Sequence, residues 1–277
     1  MNGLIRVFFL SILLSQFSTF ARSEVVFLPE SRDQQYRTYG LYIDNQSTFI
    51  FKSAATSWGA LGGSVAIAEI NSWKWKPQFA VHGTANAAMA IISTSSALQT
   101  QTIDARAGLS FEFEFTEEFR GAVIWTHQSG HTSDEVVDAD LIGSNLGNEI
   151  VDFRFIRDIE NTWRLGVGFR PCVSSDPGMQ FFGAEQFVEW FPLQFSDNPH
   201  HMNPFAAIGS EQYGRSNITE SFHFQIGFAA GNHFLPKKVS SLRTVLGFYS
   251  GYDPRLKYFQ MKHRYADFVY GGVMFEI

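Results

Sequence analysis

Within the stretch AVIWTHQSGHTSDE, residues 122–135, the positions of His127, Ser129 and His131 alternate with Gln128 and Gly130. On an extended strand, residues two apart point the same way and lie about 6–7 Å apart along the chain. A histidine and a serine at that spacing can meet in a hydrogen bond, which is how a general base turns a weak hydroxyl into a nucleophile. His131 offers a second base. The acids that follow in SDEVVDAD, namely Asp134, Glu135, Asp138 and Asp140, supply hard oxygen ligands of the kind calcium takes. No glycine stands at the turn position of a calcium loop, and a solvated acidic loop has the same composition. What these residues can do depends on the surface that carries them.

That surface has a period of two. From Ile103 to Phe115 the odd positions are Ile103, Ala105, Ala107, Leu109, Phe111, Phe113 and Phe115, and the even ones Asp104, Arg106, Gly108, Ser110, Glu112 and Glu114. Such alternation sends the two sets to opposite faces of one strand. The same pattern returns around Phe119–Thr126, in IVDFRFIRD (150–158), in WRLGVGFR (163–170) and in SFHFQIGF (221–228). The runs are longer than the five or six residues usual in soluble sheets, and they suit the ~9–11 tilted residues that cross a bilayer.

The ends and composition agree. The chain opens MNGLIRVFFLSILLSQFSTFARSE, with Arg6 before an apolar run and Thr19-Phe20-Ala21 placing small residues at a cleavage site. The run is too short to span a membrane and reads as a secretory signal over residues 1–21. Cys172 is the one cysteine, so no intrachain disulfide framework exists in an exported chain. With 21 basic and 27 acidic residues and no basic block, nucleic acid is not an expected partner.

An apolar outer face, and an inner face on which Asp104, Arg106, Glu112, Glu114, Arg120, Asp152, Arg154, Arg164 and Arg170 can pair across strands, define an all-β fold. It is a single transmembrane antiparallel β-barrel of about 12 strands, placed in a bacterial outer membrane. The strands fall near 47–53, 58–70, 77–91, 103–115, 119–131, 148–158, 163–172, 179–191, 203–212, 220–231, 239–250 and 265–277. After the signal peptide, residues 22–46 are expected to form an N-terminal periplasmic segment and 47–277 the barrel. The last stretch, DFVYGGVMFEI, alternates to Ile277 and resembles the closing strand that the outer-membrane assembly machinery recognises, although that signal usually ends in an aromatic. Outer-membrane lipids and that machinery are the expected partners. WGALGG (58–63) precedes no helix and is no nucleotide loop, and His200-His201 between prolines reads as a surface loop.

Continuing the outward register past Trp125 puts His127, Ser129 and His131 on the lipid-facing side. HQSG, His127 to Gly130, resembles the motif of outer-membrane phospholipase A, a twelve-stranded barrel whose lipid-facing His-x-Ser pair is oriented by an asparagine on a neighbouring strand. The resemblance implies a calcium-dependent, dimeric lipid hydrolase. Here alternation turns Asn148 inward and Glu149 outward, so Glu149 takes the orienting place. More of the chain resembles an uncharacterised family of bacterial outer-membrane barrels with the signature His-x-Ser-Ser-His-x-Gly-Asp-Glu after Asp-x-Arg-x-Gly. This chain has Asp104-x-Arg106-x-Gly108, then His127-x-Ser129-Gly130-His131-x-Ser133-Asp134-Glu135, with Gly130 and Ser133 departing from it. Phe27-Leu28-Pro29 and Tyr249-Ser250-Gly251 also fit, and the resemblance implies fold and location without an activity.

Two functions follow as expectations. One is lipid acyl-ester hydrolysis by Ser129, with His127 or His131 as base, Glu149 or Asn148 orienting it, and calcium at Asp134 and Glu135. The other is a non-enzymatic barrel, acting as a narrow channel, adhesin or envelope-structural protein. On that reading the histidines form an interfacial girdle above Trp125.

Overall fold

In a computed structural model the chain is described over residues 24–29, 47–52, 56–91, 98–132, 146–176, 182–192, 201–214, 218–231, 241–252 and 265–276. The signal-peptide residues 1–21, the acidic stretch with Asp134 and Glu135, His200 and Ile277 lie outside them.

Thirteen antiparallel strands form one sheet. They are β1 (Val25–Phe27), β2 (Ser47–Lys52), β3 (Thr56–Ile70), β4 (Gln78–Ile91), β5 (Leu98–Glu114), β6 (Phe119–Thr132), β7 (Leu146–Ile159), β8 (Trp163–Asp176), β9 (Phe182–Trp190), β10 (Met202–Gly214), β11 (Ile218–Ala230), β12 (Ser241–Tyr252) and β13 (Tyr265–Glu276). From β2 to β13 each strand pairs with the next, and β13 closes on β2 with Gly272 opposite Ile50 and Met274 opposite Thr48. The ring has 12 strands, as the alternation implies, and its closure pairs the two strands that an open sheet would present to lipid as edges.

Val25, Val26 and Phe27 pair with Ile70, Glu69 and Ala68 of β3, so part of residues 22–46 joins the sheet. Among the described residues the β2–β3 pairing runs from Lys52 opposite Thr56 to Thr48 opposite Ala60. β1 pairs at the far end of β3, beside the turn that leads into β4.

Outward positions are apolar and exposed: Leu109 and Val167 are each 56% accessible, Leu246 55% and Phe228 51%. In water such a surface would be an aggregation liability, whereas hydrocarbon is the solvent it matches. Around the tight turns an aromatic band runs through Trp75, Phe115, Phe119 and Phe155, with ring centroids 5.3–6.2 Å apart. Trp163 and Trp190 stack at 5.7 Å on the same rim. Aromatic girdles of this kind mark membrane–water boundaries.

Inside, charged residues are stitched from strand to strand. Asp158 takes Arg120 and, at 2.8 Å, Arg164; Arg154 reaches Glu185 at 2.6 Å and Asp152 at 3.1 Å. Arg170 joins Glu185, Asp152 at 3.2 Å and Glu211 at 3.0 Å, linking β7, β8, β9 and β10. Taking these charges out of water is compensated because Asp158, Asp152, Arg154, Arg170 and Glu185 each meet two or more charged partners. Glycines make room for the long side chains: a Cβ on Gly168 would fall 2.5 Å from Glu185 Cγ. On the other side of the barrel, inward Trp58, Phe205, Tyr249, Phe268, Tyr270 and Met274 form an apolar cluster. Arg164, Arg243 and Glu189 are 0% accessible, so along this part of the lumen the described side chains are packed against one another rather than lining water.

Candidate active site

The β5–β6–β7 wall carries the polar stretch. Its register is unbroken by any bulge: Trp125 opposes Leu109 on β5 and Val151 on β7, and His127 opposes Ala107 and Glu149. The outward parity set by Leu109 and Trp125 therefore persists to His127, Ser129 and His131, all at least partly exposed, while Gln128 and Gly130 are buried on the inner side.

His127 and Glu149 are thus direct cross-strand partners on the outer face. Their side chains meet with Nδ1 2.7 Å from Oε1. Since the acceptor is a carboxylate, Nδ1 is the donor, and in the neutral ring this places the lone pair on Nε2, on the other side of the imidazole. His127 is 48% and Glu149 31% accessible. Ser129 is one step further along the same face, opposite Ala105 on β5 and Gly147 on β7. Among the described residues its hydroxyl makes no hydrogen bond to His127, so the pair is aligned on one face but not closed. His131 is exposed opposite Ile103, and it is not brought to Glu149.

Small neighbours leave the outer face open beside this pair. A Cβ on Gly147 would stand 3.8 Å from His127 Cε1, and Ala105 and Ala107 flank the other side. On the inner side, His82 of β4 passes over β5 to meet Thr126 of β6 at 3.1 Å. It can do so because Gly108 lies beneath it, where a Cβ would fall 2.6 Å from His82 Nε2 and 2.0 Å from the Trp125 carbonyl oxygen.

Asn148 faces the lumen at 1% accessibility, and its Oδ1 accepts the Ser175 hydroxyl at 2.8 Å. It does not reach His127, so of the two orienting candidates the geometry brings together only Glu149. Among the described residues no group of three or more His, Cys, Asp and Glu side chains is placed to hold a metal. The candidate calcium ligands Asp134 and Glu135 lie outside those residues. Sequence reasoning missed the open flank at Gly147 and the break in the β7–β8 register beside Glu149. RPCVSSD (170–176), where alternation fails after a proline, was the signal for the latter.

A closed, antiparallel 12-strand ring with an apolar exterior and a charged interior defines the chain as a β-barrel of the outer-membrane type. Among solved structures it is similar to outer membrane phospholipase A from Escherichia coli, with a TM-score of 0.51 and 12% identity, over 87% of this chain and 93% of that one. At that identity the likeness is one of fold. No family model and no curated protein sequence matches the chain, so its resemblance to the uncharacterised barrel family rests on the motif residues alone.

Proposed function

We propose that this chain is an outer-membrane lipid acyl hydrolase working from its lipid-facing wall. The observation that carries the reading is the His127–Glu149 couple on the outer face, one step from Ser129. A carboxylate on Nδ1 fixes the imidazole in the tautomer whose Nε2 accepts a proton, which is the base half of a serine triad. The site lies at the end of β6 away from the tight turns, the outer-leaflet side in barrels with short periplasmic turns. Ester bonds of lipids lie near that level.

In the acylation step, Ser129 Oγ attacks the ester carbonyl carbon and its proton passes to His127 Nε2. The tetrahedral adduct collapses by breaking the bond to the alcohol oxygen, which takes that proton and leaves. Water, deprotonated by the same Nε2, then cleaves the acyl–Ser129 ester and restores the hydroxyl. Glu149 holds the imidazolium in place throughout. Calcium at Asp134 and Glu135 is a further part of the proposal, tested by chelation.

The experiment is fatty-acid release from mixed phospholipid–detergent micelles by the refolded mature barrel, with calcium or chelator, beside Ser129→Ala. Release that Ser129→Ala abolishes supports the reading. Equal release, or none, from both folded proteins contradicts it. Release from neither would leave the envelope-structural alternative, which the packed lumen favours over a channel.

A further inference from the structure

Beside Glu149 the β7–β8 ladder contains a β-bulge. Ile150 pairs with Cys172 and Glu149 with Ser174, so Val173 is an extra residue on β8. Cys172 is buried at 8%, and the Ser175 hydroxyl bonds the inward Asn148, so both ends of the irregularity point into the barrel. The two residues between them, Val173 and Ser174, then both lie on the outer face, as two residues of a bulge opposing one partner do. Val173 is 54% accessible and Ser174 is exposed. The Cys172 thiol, 3.1 Å from the Ser174 carbonyl oxygen, donates to it and holds the distorted backbone. Without the extra residue, strict alternation after Cys172 would turn Ser174 into the lumen.

The carboxylate opposite is incompletely used. Glu149 Oε1 accepts from His127 Nδ1, while Oε2 is shielded from solvent and has no hydrogen-bond partner among the described residues. An ionised carboxylate accepts on both oxygens, and a serine hydroxyl carries one rotatable donor. Directly opposed residues on one face have Cβ atoms about 4.5–5.5 Å apart, within reach of such a bond after a change of serine rotamer.

We infer that Ser174 is a positioning residue for the hydrolase proposed above. Its hydroxyl donates to Glu149 Oε2 in the working state, so that Oε1 stays aimed at His127 Nδ1 while the imidazole takes up and returns the Ser129 proton. The bulge re-aims the β8 side chain for this purpose. Ser174 acts only through Glu149 and touches no substrate.

The test compares fatty-acid release from phospholipid–detergent micelles by the full mature barrel and by Ser174→Ala, Ser174→Thr, Glu149→Ala, the Glu149→Ala/Ser174→Ala double variant and Ser129→Ala. All are first checked for native β content by circular dichroism. The expected result is a kcat about tenfold lower in Ser174→Ala with KM unchanged, recovery in Ser174→Thr, and no further loss on adding Ser174→Ala to Glu149→Ala. Wild-type kcat in Ser174→Ala while Ser129→Ala is inactive overturns the role of Ser174 alone. So does an equal loss in the Glu149→Ala background, which marks Ser174 as a structural strand end. Release that does not depend on Ser129 overturns this inference together with the hydrolase reading on which it rests.

Discussion

Asn148 and Glu149, adjacent in sequence, serve opposite sides of one barrel wall. Asn148 accepts the Ser175 hydroxyl inside at 2.8 Å, and Glu149 accepts His127 Nδ1 outside at 2.7 Å. The parity of β7 thus decides which of two chemically suitable neighbours can orient the base. Glu149→Gln is expected to lower acyl release by about tenfold or more, because the amide lacks the charge that stabilises the imidazolium and can turn its NH2 toward Nδ1. Asn148→Ala should leave release within about threefold and instead lower stability by about 1 kcal/mol through its lost bond. Assay and urea titration of both variants check this, and the reverse ranking would contradict the assignment.

Glycines on the two faces of the same wall should behave differently. Gly108→Ala would press a methyl 2.0 Å from the Trp125 carbonyl and into His82, both within the packed wall, so its refolding yield should collapse. Gly147→Ala meets His127 only at 3.8 Å, an ordinary contact, and should fold normally. A bulky Gly147→Phe should fold yet raise KM, since it covers the open flank of the Ser129–His127 pair. Refolding followed by micelle kinetics separates the three.

The internal ion pairs are expected to matter for stability and not for turnover. Asp158 serves both Arg120 and Arg164, which are 3% and 0% accessible. Asp158→Ala leaves two buried cations without their shared carboxylate and should cost about 3–5 kcal/mol. The measurement is the urea midpoint of the refolded barrel. Residual folded protein should retain its release rate, because Asp158 lies at the end of β7 remote from Glu149.

Lipid as the outer solvent makes a prediction of its own. Leu246 is midway along β12, outward and 55% accessible. Leu246→Arg should destabilise the barrel in phospholipid bilayers by about 2–4 kcal/mol, as a cation at the bilayer midplane does. A tolerated arginine there, judged from equilibrium refolding into vesicles, would contradict the lipid-facing assignment.

Strand number and face were legible because side-chain period and solvent partition are local properties: Leu109, Trp125 and Phe153 name the outer face wherever they occur. The outward Glu149 and inward Asn148 followed from the same parity. Two features were not legible. Val25–Phe27 pairs with Ala68–Ile70 of β3, a relation between distant segments that no local pattern announces. Ser174 faces outward only through the bulge at Val173: the failed alternation in RPCVSSD signals a break, but a one-residue slip reverses every later side chain, so counting along β8 does not place it.

The most direct measurement of the central claim is covalent labelling of Ser129. The refolded barrel is incubated in micelles with a long-chain alkyl fluorophosphonate, and the adduct is located by peptide mass spectrometry. The account predicts a phosphonyl adduct on Ser129 that is lost in Ser129→Ala and forms far more slowly in His127→Ala and Glu149→Gln. A folded barrel left unlabelled, or labelled at another serine with the His127 and Glu149 variants unaffected, would contradict it.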